Sequence, residues 1–354
     1  MSRFLSMNTR SIQPYVPGEQ TTDKSMIKLN TNENPYPPSP LVMERIKNID
    51  LADLRLYPNS EGNIIKKAVS DYYGISEKEV FAGNGSDEVL GFLFKAFFDK
   101  TTTIAFPDIT YSFYPVYSAL YEVPYIKVPV KEDFSIDFND YHPGNIKAII
   151  FANPNAPTGL YIPVETIEKL LKERPDTLIV VDEAYVDFGS QSCVPLISRY
   201  DNLIVVQTLS KSRALAGLRI GIAIGKQELM EGLARVKNSF NSYPLDTIAQ
   251  VAAEVAFKDK SYFEETKGKI IKTREWVKAQ FKEMGLMVTD SMANFLFVSI
   301  PGIKGEDAII LLKQEGIIVR NFKQPGIADW LRITIGTDQD MERVVQAIKK
   351  IMAR

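Results

Sequence analysis

Short apolar runs alternate with helical patterns through the middle of the chain. The runs are rich in isoleucine and valine and are apolar on both faces, which is typical of strands buried between two layers. The pattern predicts strands at 103–106, 147–152, 177–181, 203–206 and 219–224, and helices at 62–73, 86–98, 112–121 and 164–173. This alternation indicates an α/β fold in which a mostly parallel sheet is sandwiched by helices.

The pattern changes after about residue 245. Long helical stretches at 245–258 and 261–284 precede alternating strands at 293–299 and 330–336 and a helix from residue 338. We therefore predict an N-terminal arm of residues 1–25, a large α/β domain of residues 46–244, and a smaller α+β domain of residues 26–45 plus 245–354. The boundary near Pro244 separates the two domains.

Composition excludes several classes of protein. The chain has 354 residues and a net charge of −2, which argues against a nucleic-acid-binding surface or attachment to an anionic membrane. Its one cysteine, Cys193, and one histidine, His142, are too few for the common zinc sites, and no metal site is predicted. No apolar run is long enough for a secretion signal or a membrane span, so we expect a soluble cytoplasmic protein.

Two charged residues follow predicted buried strands, at the edge where open α/β sheets bind ligands. Asp182 follows strand 177–181 and could face a cationic group such as a protonated pyridine nitrogen, although a helix cap or an arginine pair is the alternative. Lys211 lies five residues after strand 203–206. A lone lysine is usually a solvated surface residue, and that is the alternative here. Partial burial and the nearby Arg219 would both favour its neutral amine, which can attack a carbonyl.

Other residues at the same edge have the chemistry of a phosphate and ring site. The turn at 83–88 exposes backbone N–H groups at a helix start, although an ordinary capped turn has the same pattern. Thr208, Ser210 and Arg219 could also bind a phosphate. Tyr111 could stack on a planar ring or be a core aromatic, and the proline-rich turn at 153–159 is rigid. Together these features are what a pyridoxal phosphate site needs.

From about Tyr15 onward, the chain resembles the pyridoxal phosphate-dependent aminotransferases with the aspartate aminotransferase fold. More narrowly, it resembles the histidinol-phosphate aminotransferases. Besides the glycine turn, the motifs that carry the resemblance are Lys28-Leu-Asn-Thr-Asn-Glu-Asn34, Arg55-Leu-Tyr-Pro58, Asp182-Glu-Ala-Tyr185, Thr208-Leu-Ser-Lys211, Ala216-Gly-Leu-Arg219 and Leu331-Arg-Ile-Thr-Ile-Gly-Thr337.

The resemblance implies a role for each motif residue. Lys211 would attach to the cofactor and move a proton, Asp182 would keep the ring nitrogen protonated, and Tyr185 would donate to the ring oxygen. Contacts to pyridoxal 5'-phosphate would come from Gly85, Ser86, Asp87, Tyr111, Asn155, Thr208, Ser210, Arg219 and Tyr57. Substrate contacts would come from Tyr15, Asn34, Arg320 and Arg332. Tyr57 would reach across the interface of a homodimer. For Arg320, the alternative is an ordinary surface cation at a strand end.

Position 156 departs from the family pattern. Many relatives have an asparagine here, immediately before Pro-Thr-Gly, that donates to the ring oxygen, whereas this chain has Ala156. Either Asn155 turns inward to replace it, or Tyr185 is the only donor.

The function that the resemblance implies is reversible amino transfer between L-histidinol phosphate and 2-oxoglutarate, a step of histidine biosynthesis. The partners would be a phosphorylated amine and a 2-oxo acid. A pyridoxal phosphate-dependent decarboxylase of threonine phosphate is an alternative, because such enzymes share nearly every motif. A broader aromatic or aspartate aminotransferase and a non-catalytic cofactor-binding regulator are the others.

Overall fold

A computed structural model describes residues 2–142, 144 and 146–353. Residues 1, 143, 145 and 354, which the predicted domain ranges include, lie outside the described residues. The strands are β1 (Ile27–Lys28), β2 (Val80–Asn84), β3 (Thr103–Pro107), β4 (Tyr125–Val128), β5 (Ile146–Ala152), β6 (Leu178–Asp182), β7 (Leu203–Thr208), β8 (Ile220–Gly225), β9 (Met287–Val288), β10 (Phe295–Ser299), β11 (Ile317–Ile318), β12 (Arg320–Asn321) and β13 (Trp330–Thr334). The α-helices are α1 (Met7–Ser11), α2 (Pro40–Lys47), α3 (Asn63–Tyr73), α4 (Gly85–Phe97), α5 (Tyr114–Tyr121), α6 (Val164–Glu173), α7 (Gln227–Phe240), α8 (Thr247–Lys258), α9 (Lys260–Glu283), α10 (Gly305–Gln314) and α11 (Asp338–Met352).

The large sheet has the order β2-β8-β7-β6-β5-β3-β4. Strands β3 to β7 run parallel, and only β8 is antiparallel to its two neighbours. Asp182 lies opposite Ala152 of β5 and Val206 of β7, so the carboxyl ends of the central strands meet at one edge. The prediction of a mostly parallel sheet is confirmed.

Helices cover both faces of this sheet, which explains why its central strands are largely apolar. Ile149 and Phe151 of β5 belong to the core shared with α3, α6 and α8. Ala148 and Ile150 point the other way, into the core shared with α4, α5 and α7. Successive strand residues face opposite sides, so burial of both faces requires an uninterrupted apolar run.

A second, smaller sheet has the antiparallel order β12-β13-β10-β9 and packs against α9, α10 and α11. The N-terminal segment joins this part of the molecule, because β1 pairs in parallel with β11. This pairing brings residues 29–34, which follow β1, to the boundary between the two sheets. Among the described residues, no helix combines the length and apolar character needed to cross a membrane.

The core of the large sheet continues beyond the predicted boundary at Pro244. Helices α2 and α8 pack on each other, and α8 packs on α3. The apolar face of α8, which includes Ala249, Ala252 and Phe257, is buried in the core of the large sheet together with Val42 of α2. The predicted division therefore separates these two helices from the core against which they pack. The chain passes from the core of the large sheet to the core of the small sheet near the start of α9.

Candidate active site

A cavity of about 520 Å³ lies at the carboxyl ends of the central strands, between the large sheet, the small sheet and the N-terminal segment. Most of the side chains predicted from the sequence lie in its wall. They are Tyr15, Ser86, Asp87, Tyr111, Asp182, Tyr185, Thr208, Ser210, Lys211, Arg219, Arg320 and Arg332.

Lys211 is placed in the cavity by the turn that follows β7. Its Nζ donates a hydrogen bond to the backbone carbonyl of Thr31 at 3.1 Å. Burial, with a smaller contribution from the positive charge of Arg332, lowers the pKa of Lys211 from 10.5 to about 8. A substantial fraction of the amine is therefore neutral at mildly alkaline pH, and this is the form that can attack a carbonyl or accept a proton.

Asp182 is the last residue of β6 and is only 4% exposed. The Tyr114 hydroxyl donates to its Oδ2 at 3.1 Å, and the backbone N–H of Ala184 donates to its Oδ1 at 3.2 Å. Burial raises the pKa of Asp182 to about 6. No lysine or arginine among the described residues forms an ion pair with it, so a cationic ligand group would stabilise this carboxylate.

Tyr185 lies on the turn after β6, with its ring edge-on to Phe295 at a centroid distance of 5.1 Å. Its hydroxyl oxygen accepts a hydrogen bond from Nδ2 of Asn32 at 2.9 Å. Burial raises the pKa of Tyr185 above its ordinary value of 10.0. The hydroxyl therefore keeps its proton at neutral pH and can donate it in a hydrogen bond.

An anion site lies where the first turn of α4 meets the segment after β7. The Thr208 and Ser210 hydroxyls are 3.0 Å apart, and Arg219 Nη2 donates to Asp87 Oδ2 at 3.2 Å. The Tyr111 hydroxyl donates to the other oxygen of Asp87 at 2.8 Å, so this carboxylate is held and positions Arg219. A helix N-terminus beside two hydroxyls and a guanidinium is suited to a phosphate group.

Two glycines allow this site to form. Gly85 has a φ of +82°, and a Cβ built on it would lie 2.4 Å from Nη2 of Arg219. A Cβ on Gly221 of β8 would lie 2.3 Å from the backbone of Gly85 and Ser86. A side chain on Gly85 would overlap the Arg219 guanidinium, and one on Gly221 would overlap the backbone at the start of α4.

A second anion site is formed by two arginines on the small sheet. Arg320 of β12 and Arg332 of β13 are directly opposite in the antiparallel pair. They donate to the backbone carbonyls of Val16 at 3.0 Å and Asn30 at 3.1 Å, respectively, and the buried Nε of Arg332 has no hydrogen-bond partner among the described residues. Neither forms an ion pair with a described carboxylate. Like charges directly opposite each other on a sheet are destabilising, so a bound anion would relieve the repulsion.

These residues fit pyridoxal phosphate together with an anionic substrate. Thr208, Ser210, Arg219 and the start of α4 would hold the cofactor phosphate, and Asp182 would face the ring nitrogen. When bound, the cofactor supplies an aldehyde to which an amine attaches and a ring that withdraws electrons. The protein supplies a lysine with a lowered pKa, a buried carboxylate and a tyrosine hydroxyl that retains its proton. The arginine pair remains available for the substrate.

Comparison with known proteins agrees with this site. Residues 24–348 match the sequence profile of the family described as aminotransferase class I and II. The chain belongs to the class I and II aminotransferases. It is 51% identical to a histidinol-phosphate aminotransferase of Clostridium acetobutylicum over all of both chains, and 48% identical to that of Brachyspira hyodysenteriae over 99% of both.

Solved structures share the fold of this aminotransferase. The histidinol-phosphate aminotransferase of Sinorhizobium meliloti in complex with pyridoxal-5'-phosphate superposes with a TM-score of 0.88 at 22% identity over 99% of both chains. An aspartate aminotransferase of Thermus thermophilus superposes with a TM-score of 0.84 at 20% identity over 99% of this chain and 100% of that one. The predicted aspartate aminotransferase fold is thereby confirmed.

Asn155 is not brought to the cavity of this aminotransferase. It is 1% exposed, and its Nδ2 donates to the Ile109 carbonyl at 2.9 Å and to the Thr158 hydroxyl at 3.2 Å. Its Oδ1 accepts from the Thr110 hydroxyl at 2.8 Å. Because these contacts use both ends of the amide to brace the surrounding turn, Asn155 has no free donor for a cofactor, whereas Ala156 lines the cavity.

Three other predicted residues lie outside the cavity wall. Gly85 has no side chain and so leaves space for the Arg219 guanidinium. Asn34 donates to the backbone carbonyls of Lys211 at 3.0 Å and Ser212 at 3.1 Å, which positions the lysine segment. Tyr57 is 83% exposed and stacks on Tyr243 at 4.7 Å, away from the cavity of its own chain. A role for Tyr57 at a cofactor therefore requires a second chain.

Several residues of the site were not singled out from the sequence. Thr31, Asn32 and Glu33 follow β1; Thr31 and Glu33 line the cavity, and Asn32 contacts Tyr185. These residues belong to the motif of residues 28–34, which is part of the family resemblance. A polar segment before prolines does not show, from the sequence alone, which of its side chains face the cavity. Tyr114, the partner of Asp182, lies in a predicted helix and has the pattern of an ordinary core aromatic.

Proposed function

We propose that this aminotransferase moves an amino group reversibly between L-histidinol phosphate and 2-oxoglutarate, as a step of histidine biosynthesis. The arginine pair Arg320 and Arg332 carries the proposal. It gives the cavity a second anion site besides the one suited to the cofactor phosphate, and it can accept the phosphate of one substrate and a carboxylate of the other. The identity of about half to named histidinol-phosphate aminotransferases supports the same assignment.

At mildly alkaline pH, Asp182 is ionised, Tyr185 is protonated and a substantial fraction of Lys211 is neutral, and the proposed reaction uses these states. The neutral amine of Lys211 accepts a proton at Nζ and returns it within the cavity. The Asp182 carboxylate stabilises positive charge beside it. Tyr185 would donate a hydrogen bond to the ring oxygen of the cofactor. Arg332 binds the substrate anion, for which its Nε–H is available because it has no partner among the described residues.

The test is an assay of purified protein loaded with cofactor. L-Histidinol phosphate and 2-oxoglutarate should yield L-glutamate and imidazole acetol phosphate, and Lys211→Ala should abolish the reaction because the amine is lost. Aspartate and phenylalanine as donors test for broader specificity, and carbon dioxide from threonine phosphate would reveal a decarboxylase. Turnover of those donors at rates equal to histidinol phosphate, or carbon dioxide release without glutamate, contradicts the proposal.

We further infer that two copies of the chain form a homodimer that shares its active sites. The segment 51–57 leaves four large apolar side chains exposed, with exposed fractions of 69% for Leu51, 48% for Leu54, 51% for Leu56 and 83% for Tyr57. Contiguous exposed apolar surface of this kind is typical of an interface. In the dimer, Tyr57 would reach the cofactor phosphate bound by the other copy.

Mixing two inactive variants tests this arrangement. Lys211→Ala and Tyr57→Ala chains, unfolded and refolded together, should form mixed dimers in which one site has both an intact lysine and an intact tyrosine. Activity should then exceed that of either variant alone. If Tyr57 acts within its own chain, no mixed site is complete and activity does not recover. A monomer in light scattering contradicts the dimer.

A cytoplasmic location completes the proposal. The chain's only cysteine, Cys193, is buried and has no partner with which to form an intrachain disulfide, which favours a reducing compartment.

A further inference from the structure

Asn32 lies beside the active site on the segment that follows β1. It is 1% exposed, and its φ of +56° is in the left-handed region, which asparagine tolerates better than most residues. Its Nδ2 donates to the hydroxyl oxygen of Tyr185 at 2.9 Å. Asn32 itself does not line the cavity, and Tyr185 is the cavity residue to which its side chain donates.

Neighbouring groups determine which way the Asn32 amide points. The Asn32 backbone N–H donates to Thr334 Oγ1 at 3.0 Å, and the Thr334 hydroxyl donates to Asn32 Oδ1 at 3.0 Å. Nδ2 of Asn294 donates to the Asn32 backbone carbonyl at 3.0 Å, which holds the segment in place. Because Thr334 accepts from the backbone, its own proton is free for the amide oxygen, and the amide nitrogen therefore faces Tyr185.

This orientation determines what Tyr185 can do. An amide N–H only donates, so the hydroxyl oxygen of Tyr185 must accept from Asn32, and its proton cannot point back. Tyr185 lines the cavity, so that proton is directed toward a ligand. The amide of Asn155, which precedes Ala156, is engaged by Ile109, Thr110 and Thr158 and has no donor left for the same task.

We propose that Asn32 and Thr334 are positioning residues that fix Tyr185 as a hydrogen-bond donor to the ring oxygen of the cofactor. Tyr185 thereby serves as donor without the asparagine at position 156 that would otherwise share the task, since Ala156 offers no donor. The inference rests on the cofactor chemistry of the proposed function but not on the identity of the substrate.

The experiment measures the visible absorbance of bound pyridoxal phosphate as a function of pH. A donor to the ionised ring oxygen favours the ionised form and lowers the midpoint of this titration. We compare wild type with Tyr185→Phe, Asn32→Gly and Thr334→Val, using Thr334→Ser as the matched control that keeps the hydroxyl. Glycine is chosen at position 32 because it adopts the left-handed backbone without strain.

Tyr185→Phe should raise the midpoint by roughly 1 to 2 pH units, the shift expected when a hydrogen bond to a charged oxygen is lost. Asn32→Gly and Thr334→Val should raise it by part or all of that amount, and Thr334→Ser should leave it within about 0.2 unit, because its hydroxyl still orients the amide. Neither Asn32→Gly nor Thr334→Val should cause a further shift in a Tyr185→Phe background, because both act through that hydroxyl.

Unchanged midpoints in the Asn32→Gly and Thr334→Val proteins overturn the inference, as does a shift that persists fully when position 185 is phenylalanine. An unchanged midpoint in Tyr185→Phe overturns it as well, since the tyrosine would then not reach the ring oxygen. Cofactor content is measured in every sample, and Thr334→Val carries the test if Asn32→Gly fails to fold. Titration without substrate keeps this result separate from the glutamate assay.

Discussion

Gly85→Ala tests whether the start of α4 positions Arg219 for the cofactor phosphate. The backbone φ of +82° is unfavourable for alanine, and the new Cβ would lie 2.4 Å from Nη2 of Arg219. The first effect costs about 1–2 kcal/mol of the free energy of unfolding. The second moves the guanidinium away from the phosphate, and a charge-assisted hydrogen bond is worth about 1.5–3 kcal/mol. We therefore expect the dissociation constant of pyridoxal phosphate to rise about 10- to 100-fold.

Gly74→Ala is the matched control. Gly74 ends α3 with a φ of +69°, but a Cβ there would meet nothing within 4 Å. Chemical denaturation without cofactor should show a similar loss of stability in the two variants, whereas cofactor titration should show weaker binding only for Gly85→Ala. If Gly85→Ala binds the cofactor as tightly as Gly74→Ala does, Arg219 is not a phosphate ligand in the position seen here.

The remaining predictions concern the amine, the arginine pair and position 156. The pKa of about 8 for Lys211 leaves its amine neutral above that pH, so the rate at which added pyridoxal phosphate becomes trappable by borohydride should rise with a midpoint near 8; a midpoint near 10.5 contradicts the burial argument. Arg332→Lys should lower kcat/KM for 2-oxoglutarate about 10- to 100-fold because lysine cannot bind a carboxylate with two parallel hydrogen bonds, and a loss below about threefold in steady-state kinetics refutes the assignment. Ala156→Asn should lower the midpoint of the cofactor's absorbance titration by adding a second donor, and an unchanged or higher midpoint counts against a free donor position there.

The sequence by itself determined the architecture of the large sheet and the chemistry at its edge. The strand β5 is apolar on both faces after Lys147 because both faces are buried there, and that requirement is visible as a continuous run from Ala148 to Ala152. Asp182 and Lys211 were identified because each follows such a run, and parallel strands bring their carboxyl ends together. These inferences rest on local periodicity and on topology, both of which can be read along the chain.

Only the tertiary structure decided which side chains meet across long separations. Arg320 faces Arg332 because β12 pairs with β13 in one register, and a shift of one residue would place them on opposite faces. Asn32 meets Thr334 across 302 positions, a contact that no local pattern contains. The apolar face of α8 could have packed on either sheet, and only the structure shows that it packs on the large one. Likewise, only the structure shows that the Asn155 amide contacts its own turn and does not face the cavity. The pattern of apolar and polar residues along the chain is compatible with several packing partners for each element, and long-range contacts determine which partner is used.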